Sequence, residues 1–188
     1  MGSGFAKMRV MGRHVALLRA VNVGGRKLPM AELRALCREI GWGDVETYIQ
    51  SGNLVFSAAG GRLELETVLE QAIAARFGMD VPVVVRSAGE WALYPAANPF
   101  PDAARDAPNR LMLLLSKRPP LAGAEAGLQA RAAAGEQVRV VGDGVWIHYP
   151  AGSGTSKLSP SFVDRTIGSP ATSRNWNTVL KLQEMLRL

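Results

Sequence analysis

The chain has little of what metal and redox sites are built from: one cysteine, Cys37, and two histidines, His14 and His148, in 188 residues. A single thiol cannot close an intrachain disulfide, and one Cys with two distant His cannot complete a zinc site without carboxylates. A disulfide scaffold and a Cys/His zinc module are therefore excluded, and neither a metal nor a cofactor is indicated. No stretch approaches the roughly 20 apolar residues of a membrane span, and residues 1–13 are too poor in apolar residues for a secretory signal and read as a flexible leader. These absences point to a cytoplasmic setting with no membrane contact. Carboxylates paired for acid–base work are missing as well. Asp143 reads as a turn residue, Asp164 as a cap after Ser161, and Glu64, Glu66 and Glu70 as a solvated helix face.

What is present is an ordinary globular composition, 47% hydrophobic and 20% charged, large enough for one good core or two small ones. The 22 Lys and Arg outnumber 16 Asp and Glu, for a formal charge of +6. The excess lies at the ends: residues 1–50 hold eight bases and four acids, and residues 151–188 five and two. Such a balance suits nucleic acid, phosphorylated metabolites or acidic surfaces, although arginine-rich composition alone produces it too.

Read in order, His14–Ala20 is apolar on both alternations, as an inner strand is. Val21–Lys27 is a glycine-bearing loop, and Pro29 opens a helix whose apolar face is Met30, Leu33, Cys37 and Ile40, which makes Cys37 a core residue. Val45–Gln50 and Leu54–Ser57 form a hairpin around Ser51-Gly52-Asn53. A helix from about Leu63 stops at Gly78, and Val81–Arg86 is the next strand, giving βαββαβ, the ferredoxin-like split unit. After a short helical segment at Ala88–Tyr94 and a Pro-rich passage, the plan starts again. A strand at Leu111–Ser116 precedes a helix at about Leu121–Ala134, strands at Gln137–Val141 and Val145–Tyr149, and a helix opening at Ser159-Pro160. This second run lacks an obvious last strand and gains a C-terminal helix. The expected fold is α+β, with two ferredoxin-like (βαββαβ-type) halves, antiparallel sheets and an extra C-terminal helix. Its divisions are a leader (1–13), a first subdomain (14–86), a connector (87–109) and a second subdomain (110–188).

Four separated blocks stand out: Leu17-Leu18-Arg19-Ala20-Val21-Asn22-Val23-Gly24-Gly25, Tyr48-Ile49-Gln50-Ser51-Gly52-Asn53-Leu54-Val55-Phe56, Ser156-Lys157-Leu158, and Thr172-Ser173-Arg174-Asn175-Trp176-Asn177-Thr178. In sequence and order they resemble the recurring blocks of the bacterial domain-of-unknown-function 1697 family. The resemblance spans residues 14 to 188. It implies an α+β fold of two ferredoxin-like halves and a bacterial protein with no established activity, and it carries over no catalytic residue.

The polar residues of these blocks fall mainly at strand ends and helix starts, where backbone N–H groups and long side chains converge on anions. The candidate ligand-binding set is Arg19, Asn22, Gly24, Gly25, Arg26 and Lys27 in the first loop, Asn53 in the hairpin, Ser156 and Lys157 in the late loop, and Arg174 and Asn175 in what reads as the first turn of the final helix. A purely structural reading stands beside it: Asn and Gly serve turns, Ser caps helices, and Arg19 and Arg174 pair with acids between the halves. Gly152-Ser153-Gly154-Thr155-Ser156-Lys157 fails the P-loop pattern, lacking a glycine directly before the lysine. Leu54–Ser57 lacks the Gly-aromatic block of RNA-recognition sheets. Trp176, spaced with Val179 and Leu182, reads as part of an apolar face.

The functional expectation is a binding protein for a phosphate-bearing small molecule or nucleic acid, held in a cleft between the halves. Two alternatives stay open. One is a metal-independent enzyme that pairs the Arg/Lys site with His148 as base; the other is an interaction protein whose blocks fix the interface between the halves.

Overall fold

The computed structural model describes residues 10–25 and 27–187, so most of the expected leader and Arg26 fall outside it. The first half runs β1 (Gly12–Leu18), α1 (Met30–Glu39), β2 (Gly43–Tyr48), β3 (Asn53–Ala58), α2 (Arg62–Phe77), β4 (Val83–Ser87), α3 (Ala88–Ala96). After a connecting helix, α4 (Pro101–Asp106), the second half runs β5 (Leu111–Ser116), α5 (Ala124–Gln129), β6 (Gln137–Val141), β7 (Gly144–His148), α6 (Pro160–Ile167), β8 (Ala171–Asn175), α7 (Trp176–Leu186). The sheets order as β2-β3-β1-β4 and β6-β7-β5-β8, with every pairing antiparallel. The two halves are thus the same plan element for element, and each ferredoxin-like unit carries one further helix after its last strand.

Several expectations need correction here. The second half does have its last strand. Thr172–Asn175 belongs to β8, which pairs with β5 through Arg174↔Leu113, and the final helix starts only at Trp176. The expected helix over 121–134 is short, Ala124–Gln129: Gly123 enters it in the left-handed region, and its end tightens into i→i−3 bonds, from the Arg131 N–H to Leu128 and the Ala132 N–H to Gln129. At the other end of the chain, β1 begins at Gly12, two residues before the expected strand.

Three apolar layers follow from the strand alternation. Ala16, Leu18, Leu54, Phe56, Val83 and Val85 face α1 and α2, and Leu114, Val138, Val145 and Ile147 face α5 and α6. The remaining faces, Val15, Leu17, Val55 and Val84 from one sheet and Leu111, Leu113, Leu115 and Trp146 from the other, share a middle layer with Trp91 and Tyr94 of α3 and Val179, Leu182 and Leu186 of α7. An isolated ferredoxin-like sheet leaves one face bare, and here each sheet's bare face is covered by the other half. That explains why β1 is apolar on both alternations. Trp91 donates its indole N–H to the Val179 carbonyl (3.2 Å), tying α3 to α7, and Trp176 packs on Trp146 with ring centres 5.8 Å apart.

Edge strands are closed by side chains. Glu70 and Glu66 of α2 accept the outward N–H groups of Val83 and Val85 on β4 (2.8 and 2.9 Å), and Gln129 and Glu125 of α5 accept those of Val138 and Val140 on β6 (2.9 and 2.7 Å). The sequence expectation that Glu66 and Glu70 belong to a solvated face is overturned by this. Glu66 is 1% exposed, and burial raises its carboxyl above the usual range. No described helix is long and apolar enough to cross a membrane.

Candidate functional site

A cleft of about 550 Å³ opens between the halves. From the first half it takes the end of β1 and the following loop (Leu18, Arg19, Ala20, Val21, Val23) with Ser51 of the hairpin. From the second come Met112, Leu114, Tyr149, Ser153, the start of α6, and all of β8 up to Arg174. The hairpin lies against β1 because position 52 is glycine. Its φ is +77°, and a Cβ there would stand 2.6 Å from Val21 and 2.7 Å from Leu18.

Arg174 forms the inner wall. It is 7% exposed and bonds in every direction. Nε donates to the Asn53 Oδ1, Nη1 to the Thr172 hydroxyl (2.8 Å) and Ser173 carbonyl (2.7 Å), and Nη2 to the carbonyls of Leu18 (3.0 Å), Ser51 (2.9 Å) and Gly52 (3.3 Å). The acceptors are neutral, and among the described residues no carboxylate pairs with it. Burial alone lowers its pKa to about 10, so it remains a cation at neutral pH. Arg19, by contrast, meets Asp164 of α6 at 2.6 Å across the cleft, as the structural reading expects. Asp164 is not the cap expected from sequence. Its other oxygen accepts from the Ala171 N–H (3.0 Å), tying α6 to β8.

The other candidate residues divide clearly. Asn53 is fully buried, and its amide nitrogen holds the Tyr48 carbonyl (2.9 Å) and Ser51 hydroxyl (3.0 Å). Asn22, in the left-handed region at φ 55°, exchanges bonds with both the N–H and the carbonyl of Leu28 and donates to the Gln50 carbonyl (2.7 Å), so it pins the loop. Gly24 and Gly25 both have positive φ with open space around them. Ser156 donates to Glu136 and accepts from the Leu158 N–H (3.1 Å). Asn175 caps α7 through the Thr178 N–H (2.9 Å). Lys27 and Lys157 are exposed and do not line the cleft. Arg26 lies outside the described residues. Of the cationic set, then, the fold brings Arg19 and Arg174 together in the cleft.

His148 does not face that cleft. It sits near Phe100 (ring centres 6.3 Å apart), and Tyr149, the next residue, takes the cleft side, its hydroxyl pushed up to about 12 by burial. The enzyme reading that paired His148 with Arg174 loses its geometry. Cys37 is buried in the α1 face, its thiol raised to about 12 by desolvation. Among the described residues, no three His, Cys, Asp or Glu side chains gather as metal ligands.

A second buried arginine, absent from the candidate set, occupies the equivalent position in the first half. Arg86 is the fourth residue of β4, as Arg174 is of β8, and each precedes the N-cap of the following helix. Its Nη1 likewise donates to the preceding carbonyl, Val85 (2.8 Å), and its Nη2 to the last carbonyl of the other half's first strand, Ser116 (2.8 Å), as Arg174 does to Leu18. Around this corner Lys117, directly after β5, pairs with Glu70 of α2 at 2.6 Å, as Arg19, directly after β1, pairs with Asp164 of α6. The difference is charge. Arg86 is neutralised by Asp143 of the β6–β7 turn (2.9 Å), which also accepts from Tyr94 (2.7 Å) and has Arg62 at 3.5 Å. The signal was in the sequence: an arginine at the end of the apolar run Val83-Val84-Val85, directly before a helix cap, as in Arg174-Asn175.

The comparisons with known proteins agree with this architecture. A conserved bacterial protein from Streptococcus pneumoniae has a similar solved structure, with TM-score 0.72 and 24% identity, the match covering 94% of this chain and 99% of that one; at that identity the likeness concerns the fold. A search of curated proteins gave no match. Residues 11–146 match a family model, and the chain belongs to the family described as Protein of unknown function (DUF1697).

Proposed function

We propose that this is a binding protein that holds a phosphate-bearing ligand in the cleft between its halves. The observation that carries the reading is the contrast between the two buried arginines. Arg86 has Asp143 as its counter-charge, whereas Arg174, on the wall of an open cleft, has neutral acceptors. A buried cation without a counter-ion is costly, and an anion in the cleft supplies what Asp143 supplies at the other corner. Arg19 offers a second guanidinium, whose fork suits phosphate once Asp164 yields it. Arg19 is thus the candidate residue kept in contact with the ligand, and Arg174, whose N–H groups are held by protein acceptors, attracts it through space. Asn22, Asn53 and Asn175 shape the loop, hairpin and helix around them.

Nucleic acid is the weaker form of the same reading. The net charge of +6 attracts any polyanion, but the sheet faces on which such folds stack bases are packed in the middle layer. A cytoplasmic location belongs to the same reading and fits the single, buried thiol of Cys37.

The test is a titration of the purified protein with inorganic phosphate, pyrophosphate, a nucleoside monophosphate and short single-stranded RNA at low and high salt. The wild type and Asn53→Asp, which puts a carboxylate beside Arg174, are compared. We expect a phosphate compound to bind the wild type and Asn53→Asp to weaken it about tenfold while retaining its circular dichroism spectrum. Absence of binding by every phosphate compound would refute the proposal. Affinity confined to RNA and collapsing with salt would replace the small ligand with a polynucleotide.

A further inference from the structure

The geometry points to a ligand that joins a compact anionic head to an apolar body, rather than to a sugar phosphate or a bare inorganic anion. This deepens the cleft reading and rests on it. Away from Arg19 and Arg174 the walls are mainly apolar: Val21 and Val23 from the first half, Met112 and Leu114 from β5, Leu158 just before α6, and Val163 on it. Five of these are buried or partly buried, while Val23 is 57% exposed, an apolar side chain held at the mouth. Open apolar surface of this kind, with few polar groups, is the usual make-up of a small-molecule site.

Several polar groups are spoken for: Arg19 and Asp164 satisfy each other, Thr172 accepts from Arg174, and Ser51 accepts from Asn53, which leaves chiefly the hydroxyls of Tyr149, Ser153 and Ser173. A ribose entering this cleft would surrender the hydration of its hydroxyls and find few partners, at a cost in free energy. An aromatic or alkyl body would lose nothing of that kind and would cover Val23 and Met112. The head is placed by charge. The two guanidinium groups lie on the polar side, and an entering anion competes with Asp164 for Arg19 while Arg174 holds its own hydrogen bonds and attracts through space.

The experiment is calorimetric titration with phenyl phosphate, inorganic phosphate and ribose 5-phosphate, and with benzoate against acetate, on the wild type, Val23→Ser and Asp164→Asn. Val23 is exposed, so Val23→Ser keeps the fold. Asp164→Asn retains an acceptor for the Ala171 N–H while removing the competing charge. Phenyl phosphate should bind at least about tenfold more tightly than inorganic phosphate or ribose 5-phosphate, or benzoate than acetate by the same factor, since burying a ring is favourable in proportion to its area. Val23→Ser should narrow that gap, and Asp164→Asn should tighten every anion. If ribose 5-phosphate equals or exceeds phenyl phosphate, the apolar body is refuted while the anion cleft stands. If none of the three phosphate compounds binds, the cleft reading fails, and this inference with it.

Discussion

The two corners at which the halves meet are built to one plan and finished differently. At each, an arginine from the last strand reaches the end of the other half's first strand, and a basic residue just after that strand pairs with a carboxylate on the other half's second helix. At the Arg86 corner, Asp143 closes the charge and Tyr94 bonds to both. At the Arg174 corner the Nη2 group meets the Ser51 and Gly52 carbonyls where Arg86 meets a carboxylate, Asn53 accepts from Nε as Tyr94 does, and a cleft lies alongside. One corner is a finished joint, and the other keeps an unspent charge. A repeated plan can in this way close its charge at one interface and leave it open beside a cleft at the other.

Two substitutions break or sharpen this comparison. Arg86→Met leaves Asp143 with Arg62 alone and takes the donors from the Tyr94 hydroxyl and the Val85 and Ser116 carbonyls, and denaturant unfolding should show a loss of about 3 kcal/mol, the sum of several buried charge-assisted bonds. Arg174→Met leaves carbonyls without donors but also removes a buried charge that has no counter-ion among the described residues, so the loss should be smaller, about 1–2 kcal/mol. Equal losses at the two positions would show the corners to be energetically alike.

The smallest effect concerns Glu66. One of its oxygens caps the Val85 N–H, and the other is buried without a hydrogen-bond partner among the described residues. Burial raises its pKa, so the folded chain keeps this proton over a pH range in which the unfolded chain has released it. The wild type therefore loses stability as pH rises above the ordinary glutamate value. Glu66→Gln should match it in acid and exceed it by about 1 kcal/mol near neutrality, in thermal melts across pH. A constant difference at all pH values would show that titration of this carboxyl is not responsible.

Much of the fold was legible because it is written in apolar periodicity. The strand at Leu111–Ser116 matched to the residue, and Gly78 ended α2 in the left-handed region as expected. β8 was not legible, for a physical reason. Its inward residues are Thr172 and Arg174, so an alternation that is real in burial is invisible in hydrophobicity. The site was half legible. Arg19 and Arg174 stand in the cleft, but sequence could not tell a lysine on an open loop from one on a wall, and Lys27 and Lys157 face solvent. Nor could it see that Arg86 and Asp143, about 57 residues apart in the chain, face each other, because that contact depends on how the halves dock.

The side chains that cover the outer N–H groups of β4 and β6 have a consequence beyond the single molecule. Exposed strand edges are templates on which further strands can grow, and crowded cells select against them. Here Glu66 and Glu70 on one helix, and Glu125 and Gln129 on another, fill those bonding positions at four-residue spacing. Each sheet is thereby made finite along these two sides, and a chain rich in valine strands is kept from recruiting its neighbours into fibrils there.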